Sequence, residues 1–418
     1  MLKLTLKSML ERKLVIFLCL CSIALSCALY LGVSRLKDAA RDGLTGTLTG
    51  ADLIVGAKGG ELNLLLYSVF HLGNPTNNIR YESYEKWSQN RRLSWAIPLS
   101  LGDSYRGFRV VGTNQNFIEH YRYQEGKSVE MAKGSFATGI WGVALGSEVA
   151  RTLKHQLGEY IVLSHGISEA AILKHDHTPF YIQGILRPTG TPIDRSVFIT
   201  LKGMEAMHIG WESGIANPNE LPDPKTLKED DITIHQITSF IAAAKNRIMV
   251  LRLRREIDQE RLEPLMAIIP GLALAQLWEI LGGAEMVLKI IGLCVLVVGV
   301  IGIVIALTTS LQSRRREMAI LRSVGGAPRH IVMLLLSEAL FLAIFGFLLG
   351  EVILWILLLG VLPVLESLYG VSLPLQLIDK NDLLYLMITL GSAHILSLLP
   401  AFMAYRMSLK DGLSGGNS

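Results

Sequence analysis

The fold of this chain is decided by the stretch Ser313-Arg-Arg-Arg-Glu-Met-Ala-Ile-Leu-Arg-Ser-Val-Gly-Gly-Ala-Pro-Arg-His330, which lies between two long apolar runs. It carries five arginines, and its apolar residues recur at spacings of three and four, which predicts a short amphipathic helix. Gly325-Gly326 ends that helix, and Pro328 suits the first turn of the next one. A basic amphipathic helix between two spans lies at the membrane surface, where it can contact lipid head groups or a soluble partner.

Four apolar segments are long enough to cross a membrane, which takes about 20 residues. The predicted membrane helices are 14–33, 287–309, 331–359 and 383–405. The 418-residue chain is 50% hydrophobic, and its mean hydropathy is +0.39, both typical of a membrane protein. All four cysteines lie inside the predicted spans, so no disulfide is expected in the soluble part.

Loop charges predict the orientation of the spans. The segments 1–13, 310–330 and 406–418 together hold eleven basic residues, whereas the loop 360–382 holds only Lys380. Positive charge accumulates on the cytoplasmic side, so both termini and the 310–330 segment are predicted to be cytoplasmic. The net charge of +4 is therefore a topology signal and does not indicate nucleic-acid binding.

The remaining segment, 34–286, predicts a large α+β domain inserted between the first and second spans. Strand-like runs alternate with turns, a buried helix is predicted at Leu62–Leu72, and an amphipathic helix is predicted after an N-cap at Ser147. A further, solvated helix with i,i+4 charge pairs is predicted at Ile237–Glu263. Amphipathic stretches at 34–50 and 274–287 adjoin the first two spans. They predict a stalk of two helices that carries the domain.

Two groups of motifs resemble the MacB/FtsX/LolC-type ABC transporter permeases, also called type VII or mechanotransmission-like. The first is Arg-Arg-Arg-Glu-Met-Ala-Ile-Leu-Arg-Ser-Val-Gly-Gly at 314–326. The second, looser group spans 141–201, where a strand, Leu-Gly-Ser, a helix and a Pro-Thr-Gly-Thr-Pro loop resemble the MacB-type periplasmic domain.

This resemblance implies that segment 310–330 is a cytoplasmic coupling helix that docks on a separate ABC ATPase, present in two copies. The residues expected to carry that contact are Arg314, Arg315, Arg316, Glu317, Leu321, Arg322, Gly325, Gly326 and Arg329. ATP and Mg would be bound by the partner and no cofactor by this chain. The resemblance also implies a bacterial inner-membrane location, a dimer of permeases (identical chains favoured over two different ones) and, as an option, a periplasmic or outer-membrane partner.

Polar and small residues inside the spans are further candidate sites. Gly346 and Gly350 form a GxxxG pattern that predicts close helix packing. Glu338 lies near the predicted cytoplasmic end, where a structural or coupling contact is expected. Glu351 lies about 20 Å deeper at helical rise. An inter-helix hydrogen bond is its favoured role, and a proton or substrate site is the alternative.

The sequence contains little that indicates catalysis. Gly126-Lys127-Ser128 lacks the first glycine of a phosphate-binding loop, since position 121 is Tyr121. His175 and His177, with His165 nearby, find no further ligand at a useful spacing, so a solvated loop is favoured over a metal site. We therefore expect that the chain is not an enzyme.

Two functions remain open. In the first, the chain is a transporter subunit that extracts or expels a lipoprotein, lipid, peptide or drug. In the second, as in the FtsX branch, it is a scaffold that activates a periplasmic partner without transport. The size of segment 34–286 favours the first, because FtsX-type external domains are smaller.

Overall fold

The computed structural model describes residues 13–165, 178–211, 223–313, 328–369 and 380–413. The helices are α1 (Lys13–Gly46), α2 (Glu61–Val69), α3 (Tyr81–Ser88), α4 (Asn116–His120), α5 (Ser147–Leu153), α6 (Leu201–His208), α7 (Val250–Asp258), α8 (Pro270–Ser313), α9 (Pro328–Tyr369) and α10 (Lys380–Leu413). The strands are β1 (Leu53–Ala57), β2 (Ile79–Arg80), β3 (Leu93–Tyr105), β4 (Phe108–Thr113), β5 (Arg122–Tyr123), β6 (Lys127–Ser128), β7 (Met131–Gly134), β8 (Gly142–Leu145), β9 (Tyr160–Ile161), β10 (Ser164–His165), β11 (Phe180–Leu186), β12 (Ser196–Thr200), β13 (Gln236–Ile237), β14 (Ser239–Ala244) and β15 (Leu265–Ile268). Short 3-10 helices lie at Pro192–Arg195, Glu229–Asp231 and Arg247–Met249.

The chain divides into two compact units. The helical unit comprises the described parts of Met1–Ala39, Leu281–Val364 and Leu375–Ser418. The sheet domain comprises the described parts of Ala40–Ile280 and Leu365–Pro374. Helices α1 and α8 each contribute residues to both units.

Within the described residues, four helices are long and apolar enough to cross a membrane: α1, α8, α9 and α10. They contain the four predicted spans, and each helix extends beyond its span. The helix-like extension predicted for 34–50 is part of α1 and ends at Gly46. Helix α10 continues through Pro400. A protein with membrane helices and a large soluble domain is therefore confirmed.

One mixed sheet organises the sheet domain, with strand order β15-β1-β14-β3-β4-β12-β8-β11-β7 and side pairings of β10 with β3 and β9 with β11. The pairs β4–β12 and β8–β11 are parallel, and the other pairs in the sheet are antiparallel. Successive strand residues face opposite sides: Ile54 joins one buried cluster, and Leu53 and Val55 join another. Both faces are covered, which explains why the central strands are almost wholly apolar.

Helices α1 and α8 are each adjacent in sequence to one of two neighbouring strands. Chain from α1 leads into β1, and β15 leads directly into α8. These strands pair antiparallel, with Ile54 opposite Ile268. Side chains from both helix ends also join the same apolar core as Ile54: Leu44 and Leu48 from the α1 end, and Ala273, Leu274 and Leu277 from α8. Both helix ends are therefore fixed to one edge of the sheet.

The helix predicted at Ile237–Glu263 is wrong over its first half. Residues 239–244 form β14, which lies between β1 and β3, and the helix there is only Val250–Asp258. Phe240, Ile241 and Ala242 are fully buried on alternating faces. Pairing with two neighbouring strands outweighs local helix preference, which is weak. The predicted i,i+4 charge pairs are present in α7, as Arg252–Glu256 at 3.0 Å shows.

The N-cap predicted at Ser147 is also wrong. The N-cap of α5 is Gly146, and Ser147 is the first helical residue. A Cβ at Gly146 would lie 2.4 Å from the carbonyl oxygens of Ile193 and Asp194. Close backbone approach requires glycine at this position. The helix begins at Ser147, one residue earlier than an N-cap at Ser147 would place it.

Candidate functional site

The predicted coupling segment falls mostly on residues 314–327, outside the part of the chain that the structure describes. The predicted contacts from Arg314 to Gly326 therefore stay predictions. Helix α8 ends at Ser313 and helix α9 begins at Pro328, the helix start that the sequence predicted. Arg329 is the second residue of α9.

The GxxxG pattern of α9 lies against α1. A Cβ at Gly346 would be 2.7 Å from Ile23 Cγ2, and one at Gly350 would be 2.6 Å from Cys27 Cβ. Both distances are shorter than any ordinary carbon contact. The two glycines therefore let the helix backbones approach closely, and Cys27 Sγ lies 3.7 Å from the Phe347 carbonyl oxygen.

Helix α1 also hydrogen-bonds to α8 and α10. The Ser26 hydroxyl lies 2.6 Å from the Gly292 carbonyl oxygen of α8 and 2.6 Å from the Tyr385 hydroxyl of α10. The rings of Tyr30 and Tyr385 stack with centroids 4.7 Å apart. Since α9 packs on α1 as well, α1 contacts every other long helix of the helical unit.

A buried charge cluster joins α1, α9 and α10. Arg35 Nη2 donates to Glu351 Oε2 at 2.9 Å and to Asp382 Oδ2 at 2.7 Å. The three side chains are 7%, 17% and 7% exposed, and the guanidinium carbon lies 5.6 Å from the centre of the Trp355 ring. Charges removed from water need such partners, because an unpaired buried charge is costly. We call Arg35, Glu351 and Asp382 the Arg35 cluster.

The sequence singled out Glu351 but missed both of its cluster neighbours. Arg35 follows the predicted first span by two residues, and Asp382 closes the predicted loop 360–382, so the sequence predicts both outside the membrane spans. The signal that could have found them is the position of Glu351 along its membrane span. A carboxylate near the far end of one span calls for a cation at the matching end of another, and Arg35 lies there. Glu338 is also buried, at 2% exposure.

A second charge group links α1 to α8. Glu285 accepts from Lys37 at 2.8 Å and from Lys289 at 2.7 Å. Lys289 Nζ also lies 5.6 Å from the centre of the Tyr30 ring. Beside this group is a cavity of about 380 Å³, lined mainly by apolar side chains such as Met286, Leu293 and Ile388.

In the sheet domain, the main titratable contact is between His208 and Asp103. His208 Nδ1 donates to the Met204 carbonyl oxygen at 2.7 Å, and Nε2 lies 3.3 Å from Asp103 Oδ2. Burial by itself would lower the pKa of His208, but the hydrogen bond and charge of Asp103 outweigh it and raise that pKa above its ordinary value. A polar cavity of about 540 Å³ adjoins this pair, with Glu205, Trp211 and Asp231 in its lining.

The sheet domain also holds the fragments that the sequence weighed for chemistry. Gly126-Lys127-Ser128 belongs to the small β5–β6 hairpin. His165 ends β10, whereas His175 and His177 lie outside the described residues. Among the residues that are described, no group of three His, Cys, Asp or Glu side chains could hold a metal ion.

Comparison with known proteins finds a family match for part of the helical unit. Residues 289–409 match the family model described as FtsX-like permease C-terminal. No curated protein matches the sequence. Among solved structures, the chain is similar to the extracellular domain of the noncanonic ABC-type transporter YknZ from Gram-positive bacteria. The identity is 12% and the TM-score 0.29, over 52% of this chain and 98% of that one.

The fold and the helix contacts define a membrane protein whose long helices pack through glycines, buried serines and a buried ion cluster. To this the family comparison adds the likeness of residues 289–409 to an FtsX-like permease C-terminal domain. The predicted resemblance to MacB/FtsX/LolC-type permeases is therefore confirmed.

Proposed function

We propose that this chain is the membrane subunit of an ABC transporter. In this proposal a separate ATPase binds the arginine-rich segment 310–330, and its ATP-driven closure changes the conformation of the sheet domain. The observation that carries the proposal is the FtsX-like permease match at 289–409, because it encloses that segment together with most of α8, α9 and α10. ATP and Mg would be held by the partner, and this chain would not be catalytic.

The chain path supports a mechanical relay. Helices α1 and α8 are each long enough to cross a membrane and also contribute residues to the sheet domain. Strand β1 follows α1, strand β15 precedes α8, and the two strands pair with each other. We propose that the parts of α1 and α8 beyond the spans form a two-helix stalk. Displacement of either helix would then reach the same edge of the sheet.

The proposed setting follows the charge pattern of the loops. Both termini and segment 310–330 would lie in the cytoplasm, and the sheet domain would lie in the periplasm of a bacterial inner membrane. A bundle of four spans is too small to enclose a wide path. We therefore propose a dimer of permeases, with identical chains favoured, bound to two ATPase copies.

The cargo class proposed is a lipoprotein, lipid, peptide or drug that is extracted or expelled on the outer side. The large sheet domain supports a substrate-handling role. The alternative is an FtsX-like scaffold that activates a periplasmic partner with the same stroke and moves no cargo.

Affinity purification from native membranes in mild detergent tests the proposal. We expect an ABC ATPase to copurify in stoichiometric amount and to hydrolyse ATP. Replacing Arg314, Arg315 and Arg316 together by alanine should abolish that association. The matched control replaces Arg247, Arg252 and Arg255, three exposed arginines of the sheet domain, and should leave it intact.

Recovery of a periplasmic hydrolase or receptor with no ATPase would overturn the transporter proposal. Recovery of both an ATPase and a periplasmic enzyme whose activity follows ATP hydrolysis would favour the scaffold alternative. ATPase binding that survives the triple arginine substitution would show that the coupling contact lies elsewhere.

A further inference from the structure

The C-terminal end of α1 is capped by a small hairpin of the sheet domain. The last carbonyl groups of a helix have no partners within the helix. The Gly46 carbonyl oxygen accepts from the Gln124 backbone N–H at 2.5 Å. The next carbonyl, at Thr47, accepts from the Tyr121 hydroxyl at 2.9 Å. Partners for the helix end thus come from a segment more than 70 residues away in sequence.

The chain that leaves α1 stays bound to the same hairpin. The Thr49 N–H donates to the Arg122 carbonyl oxygen at 2.9 Å, and these two residues form an isolated antiparallel bridge. The hairpin has a tight turn and further hydrogen bonds of its own. Its turn holds Gln124 and Gly126 at positive φ, and the Arg122 guanidinium donates to the carbonyl oxygens of Glu119 and Tyr121 at 2.6 and 2.8 Å.

Tyr121 connects this cap to the centre of the sheet. Tyr121 is 3% exposed, and the centroid of its ring lies 4.8 Å from the ring centroid of Phe117. Phe117 in turn lies 4.9 Å from Phe198 of β12, a strand in the middle of the sheet. One hydroxyl therefore joins the helix end to a continuous row of buried aromatic rings.

On another side, the helix end borders open space. A cavity of about 550 Å³ is lined by Asp42 and Gly43 of α1, by Gln124 and Lys127 of the hairpin, and by Gly190 and Thr191 of the loop before β12. An open space transmits no displacement. Among the described residues, the hairpin bonds and the apolar contacts of Leu44, and of Leu48 just beyond the helix, attach this end of α1 to the domain.

We infer that the β5–β6 hairpin, through Tyr121, is the contact by which movement of α1 reaches the sheet domain. This inference rests on the proposed function and makes Tyr121 a positioning residue for it. Without the cap, α1 would still be joined to β1 by the chain. Its end would, however, lose the direct bond from Thr47 to the aromatic row and keep only the apolar contacts of Leu44 and Leu48.

The test measures hydrogen exchange of the full permease–ATPase complex in nanodiscs, with and without ATP and vanadate. In the wild-type complex, ATP should change exchange in the strands of the sheet. With Tyr121→Phe that change should fall about fivefold, the effect of losing one hydrogen bond worth about 1 kcal/mol. Exchange in α9 and α10 should respond to ATP as before, which a general loss of folding would not allow.

Two further variants provide a negative control and a rescue for this test. Tyr123→Phe removes a hydroxyl from the same hairpin that makes none of these bonds, and it should leave the response unchanged. Adding Thr49→Cys and Arg122→Cys to Tyr121→Phe should restore the response once the disulfide has formed, because the bridge then holds the hairpin to the chain covalently.

A full response of the sheet in Tyr121→Phe would overturn the inference while leaving the proposed function standing. A wild-type complex that contains no ATPase would overturn the proposed function and the relay with it. A response lost equally in Tyr123→Phe would assign the effect to hairpin stability and would also overturn the role of Tyr121.

Discussion

Gly350 illustrates how a single residue sets the spacing of the membrane helices. A Cβ there would meet Cys27 Cβ at 2.6 Å and the Ala24 carbonyl oxygen at 2.7 Å, and both belong to α1. We expect Gly350→Ala to destabilise the bundle by about 1–3 kcal/mol through overpacking. The measurement is thermal unfolding of the purified chain in detergent.

Gly360 provides the control because it lies in the same helix and a Cβ there meets nothing within 4 Å. Gly360→Ala should be neutral or stabilising by about 0.5–1 kcal/mol, since alanine restricts the unfolded chain more than glycine. Equal unfolding temperatures for the two variants would contradict the packing role of the GxxxG pattern.

Arg35 is the cation on which the buried cluster depends. Arg35→Met leaves Glu351 and Asp382 close together without their common partner, so we expect a loss of about 3–5 kcal/mol. The same unfolding measurement applies. Lys37→Met is the comparison: Lys37 is 35% exposed and its loss leaves Glu285 paired with Lys289, so a small effect is expected.

The cluster also permits a rescue experiment. Combining Arg35→Met with Glu351→Gln and Asp382→Asn removes the uncompensated charges and should recover most of the lost stability. A triple variant no more stable than Arg35→Met would show that side-chain packing, and not charge pairing, accounts for the role of Arg35.

His208 makes the stability of the sheet domain depend on pH. The native pKa of His208 is raised, so its pairing with Asp103 stabilises the fold fully below pH of about 6.5, the ordinary histidine value. That contribution is lost as pH rises through the raised native pKa. The free energy of unfolding of the sheet domain, measured between pH 6 and about 9, should therefore decline as pH rises. His208→Gln should remove that decline.

His120→Gln is the matched control for this experiment. His120 is partly exposed, with 38% of its side chain accessible, and lies on the short helix α4. The pH dependence should persist in this variant. A flat profile in the unmodified chain would contradict the assignment of a charged His208–Asp103 pair.

At the scale of elements, the start of α8 is fixed to the sheet domain by packing. Leu274 is 8% exposed and belongs to the main core cluster, whereas Leu272 in the same turn is 50% exposed. Leu274→Ala should cost about 2–5 kcal/mol. Leu272→Ala should cost little, and the difference is measurable by denaturant unfolding of the sheet domain. Similar losses for both would argue against this attachment.

The elements also show where sequence patterns mislead. The long helices follow from apolar length alone, because a membrane helix must satisfy every backbone hydrogen bond internally. Strand β14 did not follow, since its apolar run fits a buried helix or a buried strand equally well. Its neighbours β1 and β3 decide between them, and they lie far away in sequence.

At the scale of the whole molecule, the coupling assignment has a direct test. Replacing Glu317 and Arg322 together by alanine should leave membrane insertion and dimer formation intact but uncouple ATP hydrolysis from function. The comparison is Arg252→Ala with Glu256→Ala, an exposed pair in α7 of the sheet domain. Unchanged ATPase binding and activity in the first variant would make the coupling assignment wrong.

The sequence by itself determined the class of this protein. Four apolar runs, the basic segment 313–330 and the large insertion are local features, and hydrophobic length, charge and motif can be read without knowing any contact. The family match at 289–409 confirmed that class. The GxxxG pattern could likewise be recognised locally, although its partner helix could not.

Only the tertiary structure decided which distant groups meet. Arg35, Glu351 and Asp382 are separated by more than 300 residues of chain from the first to the last, yet one guanidinium nitrogen binds both carboxylates. Tyr121 reaches Thr47, and β1 pairs with β15, in the same way. The physical reason is that such pairings depend on helix depth, register and sheet order. Those quantities arise when the whole chain minimises its exposed apolar surface and its unpaired polar groups together.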